Sequence, residues 1–154
     1  MYTKILVPMD GSELAESALP YLEWFIKVSR VNEVIFFRVV EPFHVPGGIE
    51  GPIIPEERMR IEGDAVKLAR KYLNKIAGRF KNGKIKIGVR VEVGKPAEVV
   101  ADYVAKCDVD LIIMATHAFS KIRRLVSGSV ADGILHAAHV PVFLVKREDR
   151  PPDK

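Results

Sequence analysis

The segment Pro8-Met9-Asp10-Gly11-Ser12 brings a carboxylate, a small-residue turn and a hydroxyl together just ahead of a helical pattern. A carboxylate so placed accepts hydrogen bonds from sugar hydroxyls, and the free backbone N–H groups of a helix start favour an anion such as a phosphate. Asp10 and Ser12 are also ordinary helix-capping residues, and the turn taken alone favours capping. A second group follows a later apolar run: Ala115-Thr116-His117-Ala118, then nine residues, then Gly128-Ser129-Val130. Its small residues permit close backbone approach to phosphates. Residues 115–130 also hold Lys121, Arg123 and Arg124 without an acid, which supplies the positive field a polyphosphate needs. A charge run is as often a solvated face, and the two readings weigh equally here.

Other reactive residue types point away from catalysis. His117, between two small residues, reads as a histidine exposed on a loop, and His136 and His139 near the end of the last helical pattern suit the helix dipole. Cys107 follows an apolar helix and reads as packing. No Cys/His cluster has the spacing of a metal site, so no metal-ligating side chains are assigned. Neither GxxxxGK[S/T] nor GxGxxG occurs, and the DxD start of an aspartate-nucleophile phosphatase would need an Asp where Pro8 stands. No residue is therefore assigned a catalytic role, and the chain reads as a non-enzyme with slow hydrolysis of a bound polyphosphate left open.

The elements that must position these residues are legible from periodicity. Residues 3–8, 34–40, 109–115 and 141–146 are short apolar runs rich in β-branched residues, the pattern of buried strands, while residues 85–93 alternate apolar and polar and predict a strand with one wetter face. Helical spacing runs through residues 12–29, kinked at Pro20, through 55–80, from Pro96 to Lys106, and from a Ser129 cap to about residue 138. The order βαβαβαβαβ implies an α/β fold, a five-stranded parallel sheet with helices on both faces. Both common strand orders, 2-1-3-4-5 and 3-2-1-4-5, put the binding crevice at the strand carboxyl ends beside the switch point. The Rossmann-like order 3-2-1-4-5 is favoured, because the continuous apolar strands 1 and 4 suit the centre and the alternating strand 3 suits an edge.

Strand 5 is then an edge whose residues Val142, Phe143, Leu144 and Val145 carry no charge to discourage pairing, so a homodimer through this strand is expected. A chain of 154 residues, 48% hydrophobic and 29% charged, fits one globular domain, set at residues 1–146 with a polar tail at 147–154. Residues 41–54, with three Pro and three Gly, form a long connection that either lies over the crevice or is slack. A net charge of +4 spread along the chain does not imply nucleic-acid binding, and no apolar run approaches membrane-spanning length. A single cysteine and an N-terminus that enters a strand pattern at once place the expected compartment in the cytoplasm, without a signal peptide.

Taken together, Pro8, Asp10 and the late loop resemble the universal stress protein family. Its ATP-binding members carry G-x2-G-x9-G-[S/T] after strand 4, and the span from Ala115 through Ala118 to Gly128-Ser129 has the same spacing. The resemblance extends from KILVPMDGSELAESAL through GKPAEVVADYV and VDLIIMATHAFS to SGSVADGILHAAHVPVFLVK. It implies that Asp10, preceded by Pro8 and Met9, meets a ribose, that Val39 lies beside adenine, and that Met114, Ala115 and Ala118 line the pocket. Gly128, Ser129 and Val130 would meet the phosphates of ATP, with Mg or Mn between phosphate oxygens. The implied function is a nucleotide-binding regulatory domain with little or no rapid turnover, acting on an unidentified protein partner. The implied assembly is a dimer through strand 5. The alanines at 115 and 118 depart from the motif, and a nucleotide-free homodimer acting through protein interaction is the alternative they raise.

Overall fold

The computed structural model describes residues 2–42, 55–81, 83–117 and 130–147. The residue 43–54 connection, Ala118, Gly128, Ser129 and residues 148–154 lie outside the described residues. In chain order the elements are β1 (Lys4–Pro8), α1 (Glu13–Glu16), α2 (Leu19–Val28), β2 (Glu33–Val40) and α3 (Pro55–Gly78). They continue with β3 (Lys86–Val93), α4 (Pro96–Lys106), β4 (Leu111–His117), α5 (Val130–Ala137) and β5 (Val142–Arg147). The strands form one parallel sheet in the order β3-β2-β1-β4-β5, as the apolar patterning implies.

Burial explains why strand 1 is apolar without alternation. Ile5, Leu6 and Val7 are all fully buried, since β1 is central and both of its faces are covered. Ile5 and Val7 face Ala15, Leu22, Phe25 and Leu73 of α1, α2 and α3, whereas Leu6 packs with Ile35, Ile112, Val104 and Ile134 toward α4 and α5. The alternating strand β3 pairs with β2 and exposes Lys86, Arg90 and Glu92. Lys86 Nζ lies 3.0 Å from Glu33 Oε1 on the neighbouring strand, and Lys4 Nζ lies 3.5 Å from Glu33 Oε2. Partial burial works against ionisation of Glu33, but the Lys86 hydrogen bond and the charges of Lys4 and Lys86 outweigh it and hold the carboxyl below its ordinary value.

Two elements differ from the periodic expectation. The helix expected over 12–29 is divided at Ser17-Ala18 into α1 and α2, with Pro20 in the first turn of α2. Proline has no N–H to donate and its ring crowds the carbonyl four residues back, and here it is accommodated in the first turn of a new helix rather than inside one. Ser17 Oγ closes α1 by donating to the Leu14 carbonyl at 2.6 Å. Strand β4 starts and ends two residues later than expected and takes in Thr116 and His117, which pair with Lys146 and Arg147 of β5. The backbone of His117 thus belongs to the strand rather than to a loop.

Candidate functional site

The sheet order reverses between β1 and β4, and the carboxyl end of β1 opens at that point. Met9 N donates to the Phe37 carbonyl at 2.8 Å, which carries the strand direction one residue past Pro8. The Met9 side chain is 2% exposed and lies in the core, so at this position the backbone alone faces the crevice region. Asp10 follows and is exposed. Its Oδ1 accepts from Ser12 N at 2.9 Å and from Ser12 Oγ at 2.5 Å, leaving Oδ2 available to a ligand. Ser12 Oγ in turn accepts from Ala15 N at 3.1 Å as the N-cap of α1. Asp10 and Ser12 therefore do cap a helix, and the turn holds the carboxylate in place while doing so. Because α1 is a single turn with one amide already taken, the anion-binding capacity expected of this helix start is small.

Arg38, which spacing did not single out, adds positive charge beside the Asp10 turn, while Lys121, Arg123 and Arg124 lie outside the described residues. Arg38 stands near the end of β2, and its Nη1 lies 3.3 Å from where a side chain on Gly11 would begin. Gly11 also has φ +88°, a backbone conformation that favours glycine, and an added Cβ there would press on the Arg38 guanidinium. The guanidinium sits over the Tyr72 ring of α3, 5.7 Å from its centroid. The Tyr72 hydroxyl donates to Glu16 Oε1 at 3.2 Å, and Arg79 Nη1 lies 3.8 Å from Glu16 Oε2. Burial, then the charge and hydrogen bond of Glu16 and the charge of Asp10, push the Tyr72 phenol well above its ordinary value, with Arg38 pulling the other way.

Asp10 and Arg38 line a cleft of about 400 Å³, within the range of small-molecule sites. Val39 and Val40 of β2 form part of its wall, and Pro96 of α4 and Val130 of α5 contribute on another side. Ala65 and Leu68 of α3 also line it, with Glu41 at the strand end. Leu68 is 68% exposed and Val130 46%, so the cleft offers open apolar surface to a flat ring beside a carboxylate and a guanidinium. Of the residues singled out from the sequence, Asp10, Val39 and Val130 meet here. Pro8 is half-buried at the end of β1, and Met114 is buried against α4 and α5. Ala115 is half-buried within β4 and pairs with Val145. Asp108 is the one non-glycine residue with positive φ among those described, so the Cβ of Ala115 brings no left-handed strain. Arg38, Leu68 and Pro96 were missed as site residues; an arginine interrupting the apolar run of strand 2 was the available signal for the first. Among the described residues no group of three His, Cys, Asp or Glu could hold a metal ion.

The model of the universal stress protein family matches residues 1–146. Universal stress protein MJ0577 of Methanocaldococcus jannaschii is 28% identical over 159 residues, covering 97% of this chain and 98% of that protein. Its solved structure superposes with a TM-score of 0.79 at 27% identity, covering 97% of this chain and 99% of that one. A universal stress protein in complex with cAMP (20% identity, TM-score 0.68, 94% and 97% covered) shares the fold. So does a family protein of Arabidopsis thaliana with AMP bound (16% identity, TM-score 0.63, 98% and 97% covered).

Proposed function

The chain belongs to the universal stress protein family, and from that premise we propose that it is a nucleotide-binding regulatory domain whose ligand is ATP, with little or no rapid turnover. The observation that carries this reading is the cleft itself, where the exposed Asp10 carboxylate stands beside apolar Val39 and Val130 at the carboxyl end of the sheet. That combination suits a nucleoside: the carboxylate accepts from ribose hydroxyls and the apolar walls take the base. The cAMP and AMP held by two proteins of the same fold support an adenosine ligand.

In this reading Asp10, with the backbone of Pro8 and Met9, meets the ribose, and Val39 lies beside adenine. Met114, Ala115 and Ala118 bound the pocket, and Gly128, Ser129 and Val130 meet the phosphates. Magnesium or manganese rides on the phosphate oxygens rather than on protein side chains. The protein works as a dimer through β5 in the cytoplasm, and the bound nucleotide alters a surface read by a protein partner.

Isothermal titration with ATP and magnesium tests the proposal. Saturable binding is expected, weakened about tenfold or more in Asp10→Asn, because a hydrogen bond to a charged acceptor is worth about 1.5–3 kcal/mol. Absence of heat from a folded protein at high concentration overturns the reading, and turnover of about one per second or faster overturns its regulatory part. A nucleotide-free dimer is the second reading, favoured by alanine at 115 and 118. It requires that the double change Ala115→Gly and Ala118→Gly create binding the natural chain lacks.

A further inference from the structure

We infer that Arg38 reads an anionic group on the ribose, so that the ligand class this cleft prefers is an adenosine nucleotide phosphorylated on its 2′ or 3′ hydroxyl. The inference rests on the nucleotide reading and narrows it. Asp10 alone suits a free diol and repels a phosphate placed there. Arg38 changes that balance, because it lines the same cleft and its guanidinium reaches the Gly11 turn next to Asp10. Dinucleotide-binding folds use the same pair of chemistries, a carboxylate for a free ribose hydroxyl and a nearby arginine for a phosphorylated one.

Three features show that Arg38 is set for a ligand rather than for the fold. Among the described residues no carboxylate lies within ion-pairing distance of it. Its guanidinium is held instead by the face of Tyr72, whose hydroxyl is tied to Glu16, so its donors stay unspent while its position is set. The glycine at 11 leaves the space its Nη1 occupies.

Topology assigns Arg38 to the sugar rather than to the 5′ phosphates. β2 and β4 flank β1 on opposite sides, so Asp10 past the end of β1 has Arg38 of β2 beside it. A ribose whose hydroxyls meet Asp10 has its 2′,3′ edge at that turn, where the Arg38 guanidinium lies beside Gly11. Val39 faces α4 and α5, while the next residue back, Arg38, faces α3, which leaves the base and the ribose phosphate on opposite sides of the strand.

The test is titration of the full chain with AMP, adenosine 2′,5′-bisphosphate, adenosine 3′,5′-bisphosphate and ATP. One bisphosphate is expected to bind at least about tenfold more tightly than AMP, the strength of a charge-assisted, bidentate contact. Within Arg38→Gln that ratio should collapse to about one, and Arg38→Lys, which keeps the charge but loses the fork, should fall between. Equal affinities for AMP and both bisphosphates overturn this inference alone. So does a preference that survives Arg38→Gln, or a variant that loses the ATP-to-AMP ratio and keeps the bisphosphate ratio. If none of the four ligands binds, the nucleotide reading falls and this inference falls with it.

Discussion

Tyr72 shows how a single side chain links packing to the site. It carries Arg38 on its ring and spends its hydroxyl on Glu16, and in that setting the neutral phenol is favoured. An acid whose folded pKa lies above its unfolded value contributes stability fully below the unfolded pKa and loses it as pH rises from there toward the folded pKa. Stability in urea should therefore decline above about pH 10, the ordinary tyrosine value, and Tyr72→Phe should flatten that decline while costing about 1 kcal/mol at pH 8. An unchanged alkaline limb in the variant would dismiss the coupling. At this scale Asp10 could be singled out from its place after a strand and before a cap. Arg38 shows there only as a charge inside an apolar strand, because its role depends on the ring of Tyr72 and the turn at Gly11, which lie far from it in the chain.

Helices α4 and α5 meet at a point where one hydrogen atom is all that fits. A Cβ built on Gly133 would lie 2.6 Å from the Cβ of Ala97, so glycine sets how closely α5, with Val130 at its start, approaches α4, with Pro96 at its start. Both starts line the cleft, and their spacing sets its width. Gly133→Ala gains up to about 1 kcal/mol of helix propensity but forces the pair apart at a cost of about 1–3 kcal/mol, so net destabilisation and weaker nucleotide binding are expected. Gly63 provides the contrast, since nothing lies within 4 Å of its added Cβ in the middle of α3. There the same substitution should stabilise by up to about 1 kcal/mol. Urea denaturation of both variants checks the pair, and equal signs would refute the packing argument. Strand existence was legible from β-branched runs. The α1–α2 break and the late end of β4 were not, because proline tolerates either a kink or a restart, and strand ends follow the partner's ladder.

The sheet has β3 at one edge and β5 at the other, and the two are treated differently. β3 carries exposed Lys86 and Arg90, charges that discourage edge pairing, whereas the middle of β5 offers Phe143 and Leu144. Leu144 is 36% exposed, and Phe143 packs against Phe25 and Tyr21 of α2. Tyr21 and Trp24 are themselves about half exposed, so apolar surface extends from the β5 edge onto that helix. This continuity supports a second copy as the cover for β5. Sedimentation should give a dimer at micromolar concentration, and Leu144→Arg should return it to monomer without loss of helical signal. Trp24, the sole tryptophan, should change its emission on dissociation. A natural chain that sediments as a monomer at high concentration would remove β5 as the interface.

By itself the sequence determined the class of fold, the strand order, the family and the place of Asp10, because apolar periodicity and turn residues act over short stretches and leave their mark there. The tertiary structure decided which of the singled-out residues share one cleft, that Met9 spends its side chain in the core, and that Ala115 sits in a strand without strain. It also brought Arg38, Tyr72 and Glu16 together from three elements beside the Gly11 turn. Such meetings arise from how helices seat on the sheet, a property of packing between distant segments that no local pattern encodes.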